Sequence, residues 1–325
     1  MASYENRLCI PLLTWLTDEE NEGCRMTDIL SVIIVTYNSA DTIIPCLESI
    51  TRSAGTPLKV ELIIVDNNSP DATVPLVEEK FPAALIVRNS ENIGFASAAN
   101  QGAERASGNL LFFLNPDTVL PRDFIPALHR ILNQYPASIL GFQFIGFDAK
   151  PRPSVWRTPS LWTLFAEGFL PYNVSRAFVT RKYSRPSGTD MVSGGCMLCP
   201  RELFQALSGF DPSYFLYYED VDFCLRARKA GYKILFVPSI KIQHYGRRSF
   251  GDDESGFFTA YYSGKLMFCS HHFTPFRYAL ARKIILAGVA VKMAAYRLAA
   301  ALRGSPRMKA LAQGHLDALR RIRSI

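Results

Sequence analysis

Leu110-Leu-Phe-Phe-Leu-Asn-Pro-Asp-Thr118 is the stretch that decides the fold of this 325-residue chain. Residues 110–114 contain no polar side chain, which predicts a strand buried on both faces of a sheet. Pro116 cannot donate a ladder hydrogen bond, so the strand is expected to end at Asn115. The side chains of Asn115 and Asp117 would then lie at the carboxyl end of a central strand, where open α/β sheets bind ligands.

Asp117 is the first candidate metal ligand. Its carboxylate is a hard oxygen donor suited to Mg²⁺ or Mn²⁺, and Mg²⁺ in particular is usually bound together with substrate phosphates. An ordinary surface turn is the alternative, because Asn-Pro-Asp also has the composition of a turn. The segment by itself leaves both interpretations open.

The surrounding sequence alternates strand and helix patterns. Such alternation predicts a mostly parallel sheet with helical crossovers. Residues 142–183 are rich in Arg, Pro and aromatic side chains, and we interpret them as an irregular connection or an acceptor-facing segment. The elements predicted are strands at 31–35, 58–65, 84–87, 110–114, 232–237 and 240–244, and helices at 41–52, 96–106, 200–207 and up to residue 80.

Polar residues follow each of the first four predicted strands. Because the carboxyl ends of parallel strands share one edge, these residues are expected to converge on a ligand site. Asp66 could accept a hydrogen bond from a nucleobase N–H or a ribose hydroxyl. The absence of G-x-G-x-x-G after the first strand and of G-x-x-x-x-G-K-[ST] argues against the usual dinucleotide site and a P-loop ATPase. The residues are Thr36 and Asn38, Asp66 and Asn67, Asn92, and Asn115 with Asp117.

The second half of the chain adds further candidates. Glu219-Asp220 stands where an aromatic run meets a helix, so the pair is either a helix cap or a source of a general base. His244 follows a strand and is either a metal ligand or a structural histidine. Arg247-Arg248 could meet a diphosphate or a lipid phosphate, or form a solvated turn.

Charge and cysteine content bear on location. The net charge is +7, yet residues 277–325 contain eleven Lys or Arg and one acid, so the basic character belongs to the tail. Helical spacing gives this tail an amphipathic pattern, which favours peripheral membrane contact over packing on the protein body or in a homo-oligomer. No eighteen-residue uncharged apolar run predicts a transmembrane helix. Seven scattered cysteines and no secretory signal suggest a cytoplasmic protein at the inner face of the cell membrane, and Cys196 and Cys199 are interpreted as structural.

The ordered motifs resemble a known family, the inverting nucleotide-sugar glycosyltransferases of family 2 with the GT-A fold, and especially their rhamnosyltransferase group. The resemblance covers about residues 29–250. The family's usual Asp-x-Asp is Asn115-Pro-Asp117 here, a form common in that group. The motifs are Val35-Thr-Tyr-Asn38, Val65-Asp-Asn-Asn68, Asn92-Ile-Gly-Phe95, Asn115-Pro-Asp117, Gly194-Gly195, Tyr218-Glu-Asp-Val-Asp222 and His244.

The resemblance implies a role for each matching position. Asp117 and His244 would hold a divalent metal, Mg²⁺ or Mn²⁺, on the donor diphosphate. Asp220 would be the catalytic base, with Glu219 as second choice or orienting residue. The expected nucleotide-sugar contacts are Thr36, Tyr37, Asn38, Asp66, Asn92, Gly94, Phe95, Asn115 and Gly195.

The resulting prediction is an α/β protein of three parts: an N-terminal extension (1–28), a GT-A domain (29–250) and a helical, basic tail (251–325). It would move a sugar, rhamnose by the group resemblance, from dTDP-rhamnose or a UDP-sugar to a glycan or lipid-linked acceptor. A nucleotidyltransferase and a non-catalytic sugar-binding protein are the alternatives. Nucleic acid is not expected as a partner, because the basic tail lacks interleaved aromatic residues.

Overall fold

The computed structural model describes residues 29–53, 58–246 and 253–323. The predicted N-terminal extension, the predicted boundary at residue 250 and the Arg247-Arg248 pair lie outside these ranges. The division into three parts therefore stays a prediction.

Eleven strands form within the described ranges, and most belong to one sheet. Its order is β3-β2-β1-β4-β10-β6-β11-β5, with β8 pairing on β11, while β7 and β9 form a separate pair. The strands are β1 (Ile29–Thr36), β2 (Lys59–Asp66), β3 (Leu85–Arg88), β4 (Leu110–Leu114), β5 (Thr118–Val119), β6 (Ser138–Ile145), β7 (Val155–Trp156), β8 (Ser187–Gly188), β9 (Met191–Val192), β10 (Cys196–Pro200) and β11 (Lys233–His244).

Helices cover both faces of the sheet. The face formed by Leu110, Phe112 and Leu114 packs on α1 and α4, and the face formed by Leu111 and Phe113 packs on the remaining helical core. The helices are α1 (Ala40–Ser53), α2 (Thr73–Lys80), α3 (Phe95–Arg105), α4 (Phe124–Gln134), α5 (Leu161–Phe169), α6 (Tyr172–Val179), α7 (Arg201–Ala206), α8 (Glu219–Lys229), α9 (Glu254–His272), α10 (Pro275–Arg303) and α11 (Pro306–Ile322).

The central strand has the predicted character. All five residues of β4 are buried, and β4, β1, β2 and β3 run parallel. Beyond β4 the sheet is mixed, because β10 runs antiparallel between β4 and β6. Cys196 and Cys199 lie buried as free thiols in β10, as the structural interpretation predicted. The prediction of an α/β fold with a central sheet flanked by helices is confirmed, with parallel pairing in β3-β2-β1-β4 and between β6 and β11.

Three expectations from the sequence need correction. Residues 142–183 were expected to be irregular but contain α5 and α6, and Ser160 starts α5 with a capping box that also uses Thr163. The strands predicted at 232–237 and 240–244 are one strand, β11, whose pairing shifts register between Val237 and Lys241. No transmembrane helix was expected, yet α10 is long and apolar enough, by length and composition, to cross a membrane, because its charged residues are widely spaced.

Candidate active site

The turn after β2 is built around Asp66. Thr36 and Asp66 are register partners at the ends of β1 and β2, and the Thr36 hydroxyl donates to Asp66 Oδ1 over 2.9 Å. Ser69 donates its hydroxyl to the same oxygen over 2.6 Å and its backbone N–H to Oδ2 over 2.9 Å. A carboxylate offers about four acceptor positions, so these three bonds leave room for about one more. Asp66 thus orders this turn and retains a limited capacity to bind a ligand.

The turn after β1 lies against the same serine. Asn38 has a positive φ of 54°, and its backbone N–H donates to the Ser69 hydroxyl over 3.0 Å. Tyr37 is 37% exposed beside it. Asn38 is one of the residues that tolerate the left-handed region, which lets the chain turn away sharply and leave the Tyr37 side chain at the edge of the sheet.

The turn before α3 is shaped by Gly94. Its φ is 83°, its N–H donates to Asn92 Oδ1 over 3.0 Å, and its carbonyl accepts from Asn67 Nδ2 over 3.1 Å. A Cβ here would overlap the backbone of Phe215, and the next N–H, of Phe95, donates to the Phe215 carbonyl over 2.7 Å. Only glycine fits this approach.

Phe215 belongs to this side of the site, although no sequence pattern predicted it, and so does Asn67, which was expected at the strand ends without a role of its own. The Phe215 ring is 52% exposed, so an apolar face is available beside the predicted nucleotide contacts. Asn67 stands beside Asp66 in the sequence, which was a usable signal. Phe215 is 120 residues downstream of Phe95, and local patterns do not reveal that approach.

Asp117 and His244 meet where β4 leads into β5. His244 pairs with Thr118 across β5 and β11, which brings its Nε2 to 3.2 Å from Asp117 Oδ1. The Gly246 N–H donates to Asp117 Oδ2 over 2.9 Å. The His244 ring stacks on Phe144 with centroids 4.4 Å apart, so β6 and β11 hold the imidazole. Asp117 lies in the turn between β4 and β5 and is fixed by its contacts with His244 and Gly246.

The donor set at this point fits Mg²⁺ or Mn²⁺ held jointly with a substrate. One carboxylate oxygen and one imidazole nitrogen converge there. The described ranges contain no group of three or more His, Cys, Asp or Glu side chains that could hold a metal ion. Divalent ions that bind nucleotides commonly use one or two protein ligands and complete their coordination with phosphate oxygens and water.

Gly194 and Gly195 connect the Asp117 region to Asp220. The Asn115 N–H donates to the Gly195 carbonyl over 2.9 Å, and a Cβ on Gly195 would lie 2.5 Å from Asn115 Nδ2. The Gly194 N–H donates to Asp220 Oδ2 over 2.8 Å. Asn115 Nδ2 also lies 3.5 Å from His244 Nε2. A continuous series of short contacts therefore joins the two candidate carboxylates.

Glu219 and Asp220, at the start of α8, both have raised pKa values, but their surroundings differ. Burial raises the pKa of Asp220, although the N–H groups of Gly194 and Val221 donate to its carboxylate. Burial and the neighbouring charge of Asp220 raise the pKa of Glu219 well above its ordinary value. Glu219 Oε2 is buried and has no hydrogen-bond partner. Asp220 is therefore the better placed of the two to be ionised near neutral pH.

A strained turn delivers these acids. Tyr217 and Tyr218 have φ values of 68° and 73°, a conformation that is unusual for bulky residues. Gly264 of α9 allows this turn to pack closely, because a Cβ there would lie 2.5 Å from the Tyr217 carbonyl oxygen. The Tyr218 ring packs against Tyr261 of α9, with centroids 5.7 Å apart. No local sequence pattern predicts this support of the turn by α9 of the C-terminal helices.

The spacing of the strand ends suits an extended ligand. Ile33 pairs with Phe113, so Thr36 and Pro116 stand at the same level on neighbouring strands. Asp66 is at the end of the next strand over, at that level. Strands lie about 4.8 Å apart, which puts Asp66 roughly 10 Å from the end of β4. A nucleoside diphosphate is long enough to span that distance.

Comparison with known sequences identifies relatives of this chain. Residues 31–208 match the family model described as Glycosyl transferase family 2, and residues 175–248 match the N-terminal domain of galactosyltransferase. The chain is 28% identical over 261 residues to N-acetylglucosaminyl-diphospho-decaprenol L-rhamnosyltransferase of Mycobacterium tuberculosis (strain H37Rv), covering 75% of this chain and 84% of that protein. It is 30% identical over 183 residues to rhamnosyltransferase WbbL of Escherichia coli (strain K12), covering 56% of this chain and 65% of that protein.

Solved structures are similar in fold. Mannosyltransferase PcManGT from Pyrobaculum calidifontis, in complex with GDP-Man and Mn²⁺, has a TM-score of 0.53 at 17% identity, covering 93% of this chain and 89% of that one. GalNAc-T7 with UDP, GalNAc and Mn²⁺ has a TM-score of 0.55 at 17% identity, covering 73% of this chain and 47% of that one. The family model spans more than half of the chain, so the protein is a glycosyltransferase of the GT-A fold and belongs to glycosyl transferase family 2.

Proposed function

We propose that this glycosyltransferase moves rhamnose from a nucleotide-sugar donor to a hydroxyl of a glycan or lipid-linked acceptor, with inversion and with the help of a divalent metal. The observation that carries the proposal is the series of contacts from Asp117 through Asn115, Gly195 and Gly194 to Asp220. These contacts support a diphosphate site at Asp117 and a general base at Asp220 that lie at the same edge of the sheet and act on the same glycosidic bond.

The donor nucleotide would occupy the ends of β1 and β2. Tyr37 and Phe215 offer exposed rings for a base or sugar, and Asp66 offers its remaining acceptor position. Thr36, Asn38 and Asn92 act mainly by fixing the turns, since their hydrogen bonds lie within the protein. Gly94 and Phe95 would border the nucleotide through backbone, and Gly195 would keep Asn115 at the diphosphate.

Asp117 and His244 are the residues that would hold the metal. A bound Mg²⁺ or Mn²⁺ supplies positive charge against the diphosphate and acts as a Lewis acid. Asp117 and His244 would orient the metal, because the Gly246 N–H fixes the Asp117 carboxylate and the Phe144 ring fixes the His244 imidazole.

Asp220 would act as the general base. The acceptor hydroxyl gives its proton to an Asp220 carboxylate oxygen while the acceptor oxygen bonds to the anomeric carbon. The bond from that carbon to the diphosphate breaks, and its electron pair leaves with the nucleoside diphosphate. General-base help of this kind is worth about 10²–10⁴ in rate. A single displacement with one base inverts the anomeric configuration, whereas retention would require a second carboxylate as nucleophile.

The relatives support the choice of sugar and acceptor. Two are named as rhamnosyltransferases, and one is named for a diphospho-decaprenol acceptor. dTDP-rhamnose is therefore the first donor to test and a UDP-sugar the second. A lipid-linked acceptor would place the enzyme at the cytoplasmic face of the cell membrane, and the basic, apolar C-terminal helices would provide peripheral contact with it.

Release of nucleoside diphosphate tests the proposal. The protein is incubated with dTDP-rhamnose, UDP-hexoses or GDP-mannose, with Mn²⁺ and with chelator as control, and product stereochemistry is read by NMR. We expect release with one donor, loss of release in Asp117→Ala and Asp220→Asn, and an inverted product. Leu85→Ser, at the far edge of the sheet, is the matched control. Undiminished release by both site variants, or a retained configuration, would overturn the mechanism.

A further inference from the structure

Helices α5 and α6 expose a cluster of large aromatic side chains. Trp162 is 57% exposed, Tyr172 69%, Phe165 39% and Phe178 37%. The Trp162 ring stacks on Phe165 with centroids 5.7 Å apart and meets Phe178 edge-on at 5.8 Å. We call these four residues the aromatic patch. Contiguous exposed apolar surface of this kind marks an interaction site in soluble proteins.

The aromatic patch lies next to the exposed side of α10. Helices α5 and α10 cross closely, because a Cβ on Gly288 of α10 would lie 2.8 Å from the Gly168 Cα of α5. Five exposed apolar residues of α10 follow the helical repeat, and we call them the α10 stripe. At 3.6 residues per turn, the centre of the α10 stripe lies about a quarter of a turn around the helix axis from Gly288. The stripe is Phe276, Leu280, Val291, Leu298 and Leu302.

The far side of α10 is already occupied. Tyr296 packs on His315 of α11 with ring centroids 5.3 Å apart, and by helical geometry it lies nearly opposite the α10 stripe. The patch and the stripe therefore belong to neighbouring, outward-facing surfaces of α5, α6 and α10.

Charge around these surfaces selects the partner. Residues 152–185 contain six Arg or Lys and one acid, Glu167, which is paired with Lys265 at 2.7 Å. Two of the six, Arg152 and Arg181, form ion pairs with Asp148 and Asp190 outside this range. Residues 275–323 contain eleven Arg or Lys and one acid. Two copies of so basic a surface would repel each other. An anionic membrane attracts it, at about 1 kcal/mol for each basic residue near the lipid, and Trp and Tyr favour the membrane interface.

We infer that the aromatic patch of α5 and α6 inserts into the interfacial region of an anionic lipid bilayer, beside the α10 stripe. This extends membrane contact from the C-terminal helices to an insertion inside the catalytic domain.

The membrane-inserting segment is close in the chain to the residues that contact Asp220, the candidate general base. Helices α5 and α6 lie between β7 and β9, which pair with each other. Strand β9 ends at Val192, two residues before Gly194, whose N–H donates to Asp220. A lipid-linked acceptor could keep its tail in the bilayer while its sugar reaches Asp220. This last step rests on the proposed function, whereas insertion itself does not.

Vesicle binding tests the insertion without donor or acceptor, so its failure leaves the glycosyl-transfer proposal untouched. The full chain is sedimented with vesicles of phosphatidylcholine alone or mixed with phosphatidylglycerol. We expect binding to the mixed vesicles, and a loss of about tenfold or more in Trp162→Ser/Phe165→Ser, because this variant lacks two rings that would be buried in the bilayer. Leu85→Ser, an exposed apolar residue of β3, should bind like the parent protein. Equal binding by the patch variant and the parent overturns the inference.

Fluorescence gives an independent measure on folded protein. In Trp15→Phe/Trp156→Phe the remaining indole is Trp162. Mixed vesicles should shift its emission to the blue, and brominated lipid should quench it. An unshifted, unquenched Trp162 in sedimented protein would assign binding to the C-terminal helices alone. A concentration-dependent dimer that Trp162→Ser abolishes would assign the patch to a second copy. Either result contradicts the inference.

Discussion

The edge of the sheet that carries Asp66, Asp117 and Asp220 and the helical layer of α5, α9, α10 and α11 treat buried polar groups differently. At the sheet edge, backbone N–H groups orient carboxylates, and Glu219 keeps a buried oxygen without a partner. In the helical layer, Glu167 accepts from Lys265 over 2.7 Å and from the Tyr261 hydroxyl over 2.6 Å. The layer neutralises the charge of Glu167, whereas at the sheet edge burial raises the pKa values of Glu219 and Asp220.

The pKa shifts follow this difference. Burial acts to raise the pKa of Glu167, but the charges of Lys265 and Lys292 outweigh burial and lower it. Among the described residues no cation lowers the pKa of Asp220, and burial raises it. A carboxylate neutralised by lysines serves stability, and a carboxylate with a raised pKa is suited to proton transfer.

The largest expected effect comes from separating the roles of the two acids at the edge. Asp220→Asn should lower kcat by about 10²–10⁴ with little change in donor KM, because the base is lost and the carboxamide oxygen can still accept from the Gly194 N–H. Glu219→Gln should cost much less, because burial and the charge of Asp220 raise the pKa of Glu219 and so favour its neutral form. In the parent protein, kcat should fall as pH falls through the raised pKa of Asp220. A larger loss in Glu219→Gln than in Asp220→Asn would reverse the assignment.

Breaking the neutrality of the helical layer should have the next largest effect. Glu167→Gln leaves Lys265 and Lys292 as buried like charges, and we expect a loss of about 3–5 kcal/mol in the free energy of unfolding. Lys265→Met should cost less, because Lys292 remains as counter-charge to Glu167. Urea unfolding measures both, and the double variant should lose less than the sum. Equal losses in the two single variants would mean that Lys292 contributes nothing to the balance.

The contact between the two regions can be tested at Gly264. A Cβ at this position would press on the Tyr217 carbonyl and displace the turn that carries Glu219 and Asp220. Gly264→Ala should lower kcat by up to about 10²-fold. Donor KM should change less, because Phe215, the donor-site residue nearest this turn, is held by the Phe95 N–H. It should also move the acidic limb of the pH–kcat profile, a change that simple destabilisation would not produce. Ser270→Ala, on the exposed side of α9, is the control.

The sequence was informative where local chemistry fixes the backbone. The apolar run of β4 and the stop at Pro116 predicted the central strand and its polar end. The parallel half of the sheet followed from simple alternation, because each strand and crossover is contiguous in the chain.

The remainder depends on long-range packing that periodicity does not encode. Strand β10 inserts antiparallel beside β4 and so brings Gly195 to Asn115, 80 residues away. The pairing of Glu167 with Lys265 joins residues 98 apart. The left-handed Tyr218 is imposed by α9, and nothing in its own sequence neighbourhood predicts it. Residues 142–183 were misjudged because α5 and α6 are short and rich in aromatic residues.

The smallest expected effect concerns His315 of α11, where the helical layer excludes a charge altogether. Burial, reinforced by the charge of Lys292, lowers the pKa of His315 to about 4. Its ring lies 3.8 Å from that of Phe258, and Nδ1 lies 2.8 Å from the Leu311 carbonyl oxygen.

An unfolded chain protonates this histidine near pH 6.5, so the unfolded state binds more protons than the folded state between about pH 6.5 and 4. The stabilising contribution is complete above pH 6.5 and is lost as pH falls, by at most about 3 kcal/mol. His315→Phe should remove this slope, as followed by urea unfolding from pH 7 to 5. Parallel slopes in both proteins would mean that the layer accommodates a charged His315. The contrast between a neutralised layer and a titratable edge would then fail at that position.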